Sequence, residues 1–203
     1  MPSIYDIKPA FQNLLRPLTR ALFNAGITAN QITVLAAALS IAVGACLAWQ
    51  PTARWSLLLV PAFLFARMAL NAIDGMLARE HGQKSRLGAV LNEIGDVIAD
   101  TALYLPFALV PGFDPLQIVL IVILAILTEM TGVVAIQIGA TRRYDGPMGK
   151  SDRAFLFGLF ALLLALGVAP GKWQQIAQPA MIALLIITIL NRARRALAQS
   201  PSA

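Results

Sequence analysis

Apolar residues run along this chain in long stretches, broken at nearly regular intervals by short polar connections rich in glycine and proline. A helix needs about 20 apolar residues to cross the hydrocarbon of a bilayer. Six such stretches can be drawn, at residues 30–49, 56–78, 88–111, 115–140, 153–170 and 174–191. Pro51, Pro111 with Gly112, Gly146 with Pro147, and Pro170 with Gly171 mark the connections, because these residues stop helices and open turns. Ahead of the first stretch the pattern changes. Ile4, Phe11, Leu14, Leu15, Leu18, Leu22 and Phe23 are set against Lys8, Arg16 and Arg20, the layout of an amphipathic helix lying in a membrane interface and too polar for a signal peptide. The expected fold is all-α: a polytopic membrane protein with six transmembrane helices. Residues 1–28 form the N-terminal interfacial amphipathic helix and residues 29–203 a single membrane domain.

Composition supports the bilayer. Of 203 residues 58% are hydrophobic and only 13% charged, against about 25% charged in soluble domains. No linker-like or low-complexity tract divides the chain, and no repeat is visible. Cys46 is the sole cysteine and falls in an apolar run, which excludes a disulfide framework and suits a small core residue. The net charge of +6 is explained by membrane orientation rather than by nucleic acid, since little soluble surface exists to bind one. Lys8, Arg16 and Arg20 precede the spans; Arg79, Lys84 and Arg86 lie in the second connection; Arg142, Arg143, Lys150 and Arg153 lie in the fourth; Arg192, Arg194 and Arg195 follow the last span. The other side holds only Arg54 and Lys172, together with Trp49, Trp55 and Trp173 as an aromatic belt. The positive-inside rule places both termini, and the connections that carry the polar motifs, in the cytoplasm. A bacterial inner membrane is the expected location.

Ionisable side chains inside a membrane are costly, by roughly 2.5–3.5 kcal/mol each on insertion scales, and are functional candidates for that reason. Arg67, Asn71, Asp74 and Ala78 share one stripe of the second span, and Gly88, Asn92, Asp96 and Asp100 recur every four residues on the third. A short connection makes these spans antiparallel neighbours, so the two stripes can enclose a pocket of carboxylate and amide oxygens near the cytoplasmic boundary. Such donors suit a hard cation, Mg2+ or Mn2+, that shares its coordination with phosphates. Gly75, Ala78, Gly88 and Gly95 leave room for close approach. A purely structural set of helix-to-helix hydrogen bonds is the plain alternative. Glu129, with Thr131 beside it, is expected to pair with Arg67 and position the site, with facing acceptor or lipid as the alternative, and His81 to be solvated without a role.

The pattern Asn71-x2-Asp74-Gly75-x2-Ala78-Arg79-x8-Gly88-x3-Asn92-x3-Asp96 resembles the signature of the CDP-alcohol phosphotransferase (CDP-alcohol phosphatidyltransferase) family, written D-x2-D-G-x2-A-R-x8-G-x3-D-x3-D in most members. Every spacing fits, and six spans with a cytoplasmic site extend the likeness over nearly the whole chain. Thr28-Ala29-Asn30-Gln31-Ile32-Thr33 is similar to the P-N-x-[LI]-T opening of many members, without the proline. The departure is at Asn71 and Asn92, where the family carries aspartate and where its four carboxylates hold two cations. This chain is identified as a variant branch, with one or two ions expected and with Asp100 or Glu93 as candidates to supply missing charge.

The resemblance implies transfer of a phosphatidyl or other phosphoalcohol group from a CDP-linked donor, with CDP-diacylglycerol favoured, to the hydroxyl of a small polar alcohol, releasing CMP. Asp74, Asp96, Asn71 and Asn92 would hold metal, with Asp100 a further candidate. Asp96 would be the general base, and Gly75, Ala78, Arg79 and Gly88 would receive the CDP donor. Gly149-Lys150-Ser151-Asp152-Arg153 matches in part the G-K-x-K-T segment of members that use glycerol phosphate. A basic cluster suits a phosphorylated acceptor, with Lys150 and Arg153 ahead of Arg142 and Arg143; anchoring of the loop to anionic lipid explains the same charges equally well. Family analogy adds a homodimer. A catalytically silent CDP- or lipid-binding relative, or an ion transporter, are the competing classes.

Overall fold

A computed structural model of the chain describes residues 4–199 and, of residues 4–8, the backbone only, so the side chains of Ile4 and Lys8 lie outside the described residues. Seven α-helices account for most of the described residues: α1 (Ile4–Asn24), α2 (Ala29–Trp49), α3 (Arg54–Glu80), α4 (Arg86–Tyr104), α5 (Pro115–Val134), α6 (Lys150–Ala165) and α7 (Lys172–Gln199). Single 3-10 turns extend α4 over Leu105–Leu109 and α5 over Ala135–Ile138. No strand occurs among the described residues.

Among the described residues four helices are long and apolar enough to cross a membrane: α2, α3, α5 with its 3-10 extension, and α7. The other two expected spans are shorter or more polar. α4 has 19 residues and carries Arg86, Glu93, Asp96 and Asp100; its α-helical period ends where Pro106 enters the 3-10 turn. α6 has 16 residues, about 24 Å of helix against a hydrocarbon layer of about 30 Å. It stops in a left-handed residue, Gly167 (φ +91°). The Val168 and Gly167 N–H groups turn back onto Leu163 and Leu164 carbonyls at 3.0 Å, the Schellman closure that favours glycine. α1 ends in the same way at Gly26 (φ +78°), with Ile27 N–H on the Leu22 carbonyl at 3.0 Å.

Two compact units emerge from the packing, one joining the chain up to Ala42 with Ala62–Ala99, the other joining Val43–Pro61 with the chain from Asp100 onward. In the first, Ala29 and Ile32 of α2 and Ile73 and Leu77 of α3 form a buried cluster, against which Leu15 and Leu22 of α1 pack. α1 therefore rests one face on protein, with Thr19 fully buried, while Leu14 and Leu18 on the other are 75% and 50% exposed. Arg16 reaches Glu80 at 3.0 Å across an exposed surface. His81 is half-buried and stacks on Phe23, ring centroids 4.3 Å apart, rather than standing free in solvent: the turn after α3 brings it back over the end of α1.

The second unit is built around aromatic rings, Tyr104 on Phe157 at 4.3 Å and Phe157 on Phe107 at 4.9 Å, continued by Phe113, Phe160 and Trp173. Two buried amides serve the turn before α5. Gln174 Nε2 donates to the Pro111 carbonyl at 3.1 Å, and Gln178 Oε1 accepts from the Asp114 N–H at 3.0 Å, so that backbone groups shielded from water keep partners. Cys46 is partly buried, as a small packing residue should be. Gly44 is buried against α4, where a Cβ would overlap the Ala102 carbonyl oxygen. Gly44→Val is expected to destabilise the fold by about 1–3 kcal/mol, read as a lowered unfolding midpoint in detergent. Ala45→Val, at the exposed neighbouring position, should leave the midpoint unchanged.

Candidate active site

The signature residues are held by the start of α2. Thr28 and Gln31 form a reciprocal capping box, the Gln31 N–H donating to Thr28 Oγ1 at 3.3 Å and the Thr28 N–H to Gln31 Oε1 at 2.8 Å. Gln83 Oε1, from the α3–α4 connection, accepts from the Ala29 N–H at 2.7 Å. One turn into α2, Thr33 Oγ1 lies 2.8 Å from Asp74 Oδ2 and donates to it. Asp74 is 7% exposed, so this bond is part of what makes its carboxylate tolerable.

The signature glycines are places where a side chain would collide. A Cβ at Gly75 would stand 2.9 Å from Arg79 Nη2, and one at Gly88 would stand 2.8 Å from Asn30 Oδ1. Arg79 thus folds back over Gly75, one turn earlier on α3, with its guanidinium exposed. Gly88 lies in the first turn of α4, its N–H donating to Ser85 Oγ at 2.9 Å. Gly95, two turns on, faces the Thr33 methyl group, with room for a Cβ at 3.6 Å. Ala78 packs on the buried cluster of α2 and α3. Arg67, 3% exposed, lies 3.3 Å from the Asp96 carbonyl oxygen and 3.4 Å from its Oδ1. Asn71 is half-buried and Asn92 exposed. Arg67, Asn71, Asp74, Asn92 and Asp96 all belong to the first compact unit.

Among the described residues no three His, Cys, Asp or Glu side chains gather as a metal-ligand group. Two carboxylates and two amides remain, Asp74, Asp96, Asn71 and Asn92, and these are hard oxygen donors that fit a Mg2+ or Mn2+ ion completing its shell with phosphate oxygens. Asp100 falls in the second unit and is engaged there: Arg153 Nη2 reaches its Oδ2 at 3.0 Å.

Two basic residues of the fourth connection, Arg142 and Arg153, gather with Arg192 of α7 around one acid in the second unit. Glu129 is 9% exposed and accepts from Arg153 at 2.9 Å and from Arg142 at 3.1 Å, with Arg192 at 3.4 Å. Glu129 therefore takes these three arginines as its partners in place of Arg67, which goes to Asp96; helix periodicity sets the face a side chain occupies but not which helix meets it. Arg153 is fully buried and also donates to Thr128 Oγ1 at 3.2 Å and to the Met148 carbonyl at 3.3 Å. Arg192 is 1% exposed and binds the Thr128 and Asp145 carbonyls. Arg142 lies over the Tyr144 ring at 4.2 Å, and Lys150 is half-buried at the first residue of α6. Arg192 was legible only as one of several charges after the last apolar run.

Asp145 closes the loop onto α7. Arg143 Nε donates to its Oδ2 and Arg195 Nη1 to its Oδ1, each at 2.7 Å. Gln199 Oε1 accepts from Arg143 Nη1 at 2.9 Å. Burial pushes the Asp145 carboxyl up, but the hydrogen bond and charge of Arg143, with Arg195 beyond, hold it below the usual carboxylate range.

Residues 26–194 match the CDP-alcohol phosphatidyltransferase family. The chain belongs to that family. The CDP-alcohol phosphatidyltransferase match takes in the signature and all of the arginine cluster except Arg195. Over 200 residues, 98% of each chain, the protein is 48% identical to the inner membrane protein YnbA of Escherichia coli. It is 27% identical over 212 residues to the phosphatidylinositol phosphate synthase of Mycolicibacterium smegmatis, covering all of this chain and 92% of that one. Its fold is that of the Mycobacterium tuberculosis phosphatidylinositol phosphate synthase. Against that enzyme with CDP-DAG bound, the TM-score is 0.76 at 20% identity, over 92% of this chain and 94% of the other. Against the same enzyme with manganese and citrate the TM-score is 0.75 at 21% identity, over 92% and 90%.

Thr33→Val removes the hydroxyl on Asp74 while keeping the shape, and is expected to cost about 1.5–3 kcal/mol, the worth of a hydrogen bond to a charged group; Thr33→Ser should restore it. Both are checked by unfolding in detergent. For Asp145 the sign follows from its lowered folded-state value: the stabilisation is fully present above the ordinary carboxylate range, near pH 4, and is lost as pH falls through the folded-state value. Asp145→Asn should therefore unfold more easily than wild type at pH 7, and the two should converge as the pH is lowered below about 4, in parallel melts across that range.

Proposed function

We propose that this protein is an integral membrane phosphotransferase that moves a phosphatidyl group from a CDP-linked donor, CDP-diacylglycerol, to the hydroxyl of a small, phosphorylated alcohol, with release of CMP. The observation that carries this reading is the join of signature and geometry in the first unit: Asp74 held by Thr33, Arg79 folded over Gly75, and Asp96 anchored beside Arg67. The relative seen with CDP-DAG supports the donor. A lipid-linked donor also suits a chain whose helices are apolar enough to lie in a bilayer.

In this reading Arg79 meets the diphosphate, and Gly75, Ala78 and Gly88 keep the donor pocket open for the nucleotide. Asp74, Asp96, Asn71 and Asn92 would hold Mg2+ or Mn2+, and the ion would neutralise charge on the diphosphate. Asp96 takes the proton of the acceptor hydroxyl. The acceptor oxygen forms a bond to the lipid-side phosphorus as the bond from that phosphorus to the CMP oxygen breaks. Lys150, Arg142, Arg143 and Arg153 bind the acceptor phosphate. Five arginines, Arg142, Arg143, Arg153, Arg192 and Arg195, meet the three carboxylates Asp100, Glu129 and Asp145 in that cluster, a concentration of positive charge that suits an anion.

The same reading takes α4 and α6 as the two remaining spans, giving six, with α1 in the interface. Residues 1–28 and 29–203 are then its two parts. Both termini and the site are on the cytoplasmic side of a bacterial inner membrane, and the chain is a homodimer. CMP release by purified protein decides it, with CDP-diacylglycerol, Mg2+ or Mn2+, and a panel of glycerol phosphate, inositol phosphate, serine and glycerol. Acceptor-dependent CMP, strongest with a phosphorylated alcohol and lost in Asp96→Asn, is the expected result. No CMP from folded, CDP-binding protein would mark a silent relative instead.

A further inference from the structure

One face of the last helix has no role in the transfer chemistry above. Thr188, Arg192, Arg195 and Gln199 follow one another at spacings of four, three and four, which puts them on a single stripe of α7. Each of them bonds to residues 141–148, in the loop that leads from α5 to α6. Thr188 Oγ1 accepts from the Met148 N–H at 3.0 Å, and Gly146 lies so close that a Cβ there would stand 2.5 Å from the Thr188 methyl group. Arg192 Nε donates to the Asp145 carbonyl at 3.2 Å, and Arg195 Nη1 to the Asp145 carboxylate at 2.7 Å. Gln199 Oε1 accepts from the Thr141 N–H at 3.2 Å, from Thr141 Oγ1 at 2.9 Å and from Arg143 Nη1 at 2.9 Å. The Arg143 side chain is fixed along its length as a result. Its backbone N–H donates to the Gly132 carbonyl at 3.1 Å, its Nε to Asp145 and its Nη1 to Gln199.

We propose that Gln199 and Arg195 are positioning residues for the acceptor: by fixing Arg143 and the loop around it before a phosphorylated alcohol arrives, they set acceptor affinity without touching the acceptor. Gln199 is exposed and the Arg195 side chain is 66% exposed, so water can replace what either contributes to net stability. Water cannot supply direction. An arginine side chain has many rotamers, and selecting one at the moment of binding weakens affinity, a cost that preorganisation removes. Thr188 acts at the other end of the loop, holding the Met148 N–H two residues before Lys150 opens α6. The donor residues Asp74, Gly75 and Arg79 belong to the first compact unit, so loosening this loop should be felt by the acceptor alone. The inference rests on the reading of Arg143 as an acceptor residue.

The test is steady-state CMP release by the full chain in detergent, with acceptor and CDP-diacylglycerol varied in turn. Gln199→Met keeps the length of the side chain and removes its oxygen. It should raise the acceptor KM about threefold to tenfold, the worth of one immobilised side chain, with the donor KM and kcat unchanged. Gln199→Glu keeps an accepting oxygen and should restore the wild-type value. Thr141→Val removes one of the three donors to Gln199 and should give a smaller rise, and Arg195→Met should act in the same direction through Asp145. An unchanged acceptor KM in Gln199→Met, equal rises in both KM values, or a best acceptor that carries no phosphate would each overturn the proposal. If no acceptor gives CMP, the transferase falls, and the same proteins are compared by calorimetry for binding of glycerol phosphate and inositol phosphate with CDP present. Weaker binding in Gln199→Met then sustains the positioning role; equal binding, or none by the wild type, overturns it.

Discussion

The pairing of charge inside an apolar protein governs this structure. A lone buried charge is prohibitive, so each ionised group placed among the helices must be met by another, and the meeting fixes which helices approach and at what height. Glu129 of α5 draws together Arg142 of the following loop, Arg153 of α6 and Arg192 of α7, while Asp100 of α4 takes the other side of Arg153. Removing the acid would leave three guanidiniums facing one another. The exposed pair Arg16–Glu80 is a different case. Both side chains are more than a third open to solvent, water screens them, and the attachment of α1 rests on Leu15, Thr19 and Leu22 instead.

Small residues set the second condition. Gly44 admits the Ala102 carbonyl, Gly88 admits the Asn30 amide and Gly75 admits the Arg79 guanidinium. In each case the missing Cβ is replaced by a polar group of a neighbour, so these glycines place oxygens and nitrogens where larger residues would place methyl groups. The capping box at Thr28 and Gln31 acts to the same end. By fixing where α2 begins, it fixes where Thr33 stands, and Thr33 holds Asp74.

Much of this was legible in the sequence, and the limit is physical. Apolar run length locates α2, α3, α5 and α7, because bilayer thickness dictates it. The signature spacing identifies Asn71, Asp74, Gly75, Ala78, Arg79, Gly88, Asn92 and Asp96, because helical period ties spacing to face. Run length overextends the α-helical part of α4 and α6, whose apolar stretches contain a 3-10 turn at Leu105–Leu109 and a glycine closure at Gly167; hydropathy is blind to backbone conformation. Partner choice is also out of reach of periodicity. Glu129 and Arg67 are each visible as buried charges, but that Glu129 meets Arg192, 63 positions later in the sequence, depends on how α5 and α7 pack. His81 is legible as polar and not as the ring that covers Phe23.

The two asparagines bear on whether the site is intact or eroded. Erosion removes constraint from every member of a site at once, so ligands, their supports and the clearances around them should drift together. Here the supports remain. Thr33 is in place on Asp74, Ser85 caps the helix that presents Gly88, Gln83 caps the helix that presents Thr33, and Arg79 still has Gly75 beneath it. Change is confined to two positions of four, each altered to the residue that keeps an oxygen donor and sheds a charge, and a buried guanidinium stands against one of the two acids that remain. A substitution pattern that keeps the donor count while lowering charge, and that leaves the supporting hydrogen bonds whole, supports the proposed reading of an intact donor site with less negative charge.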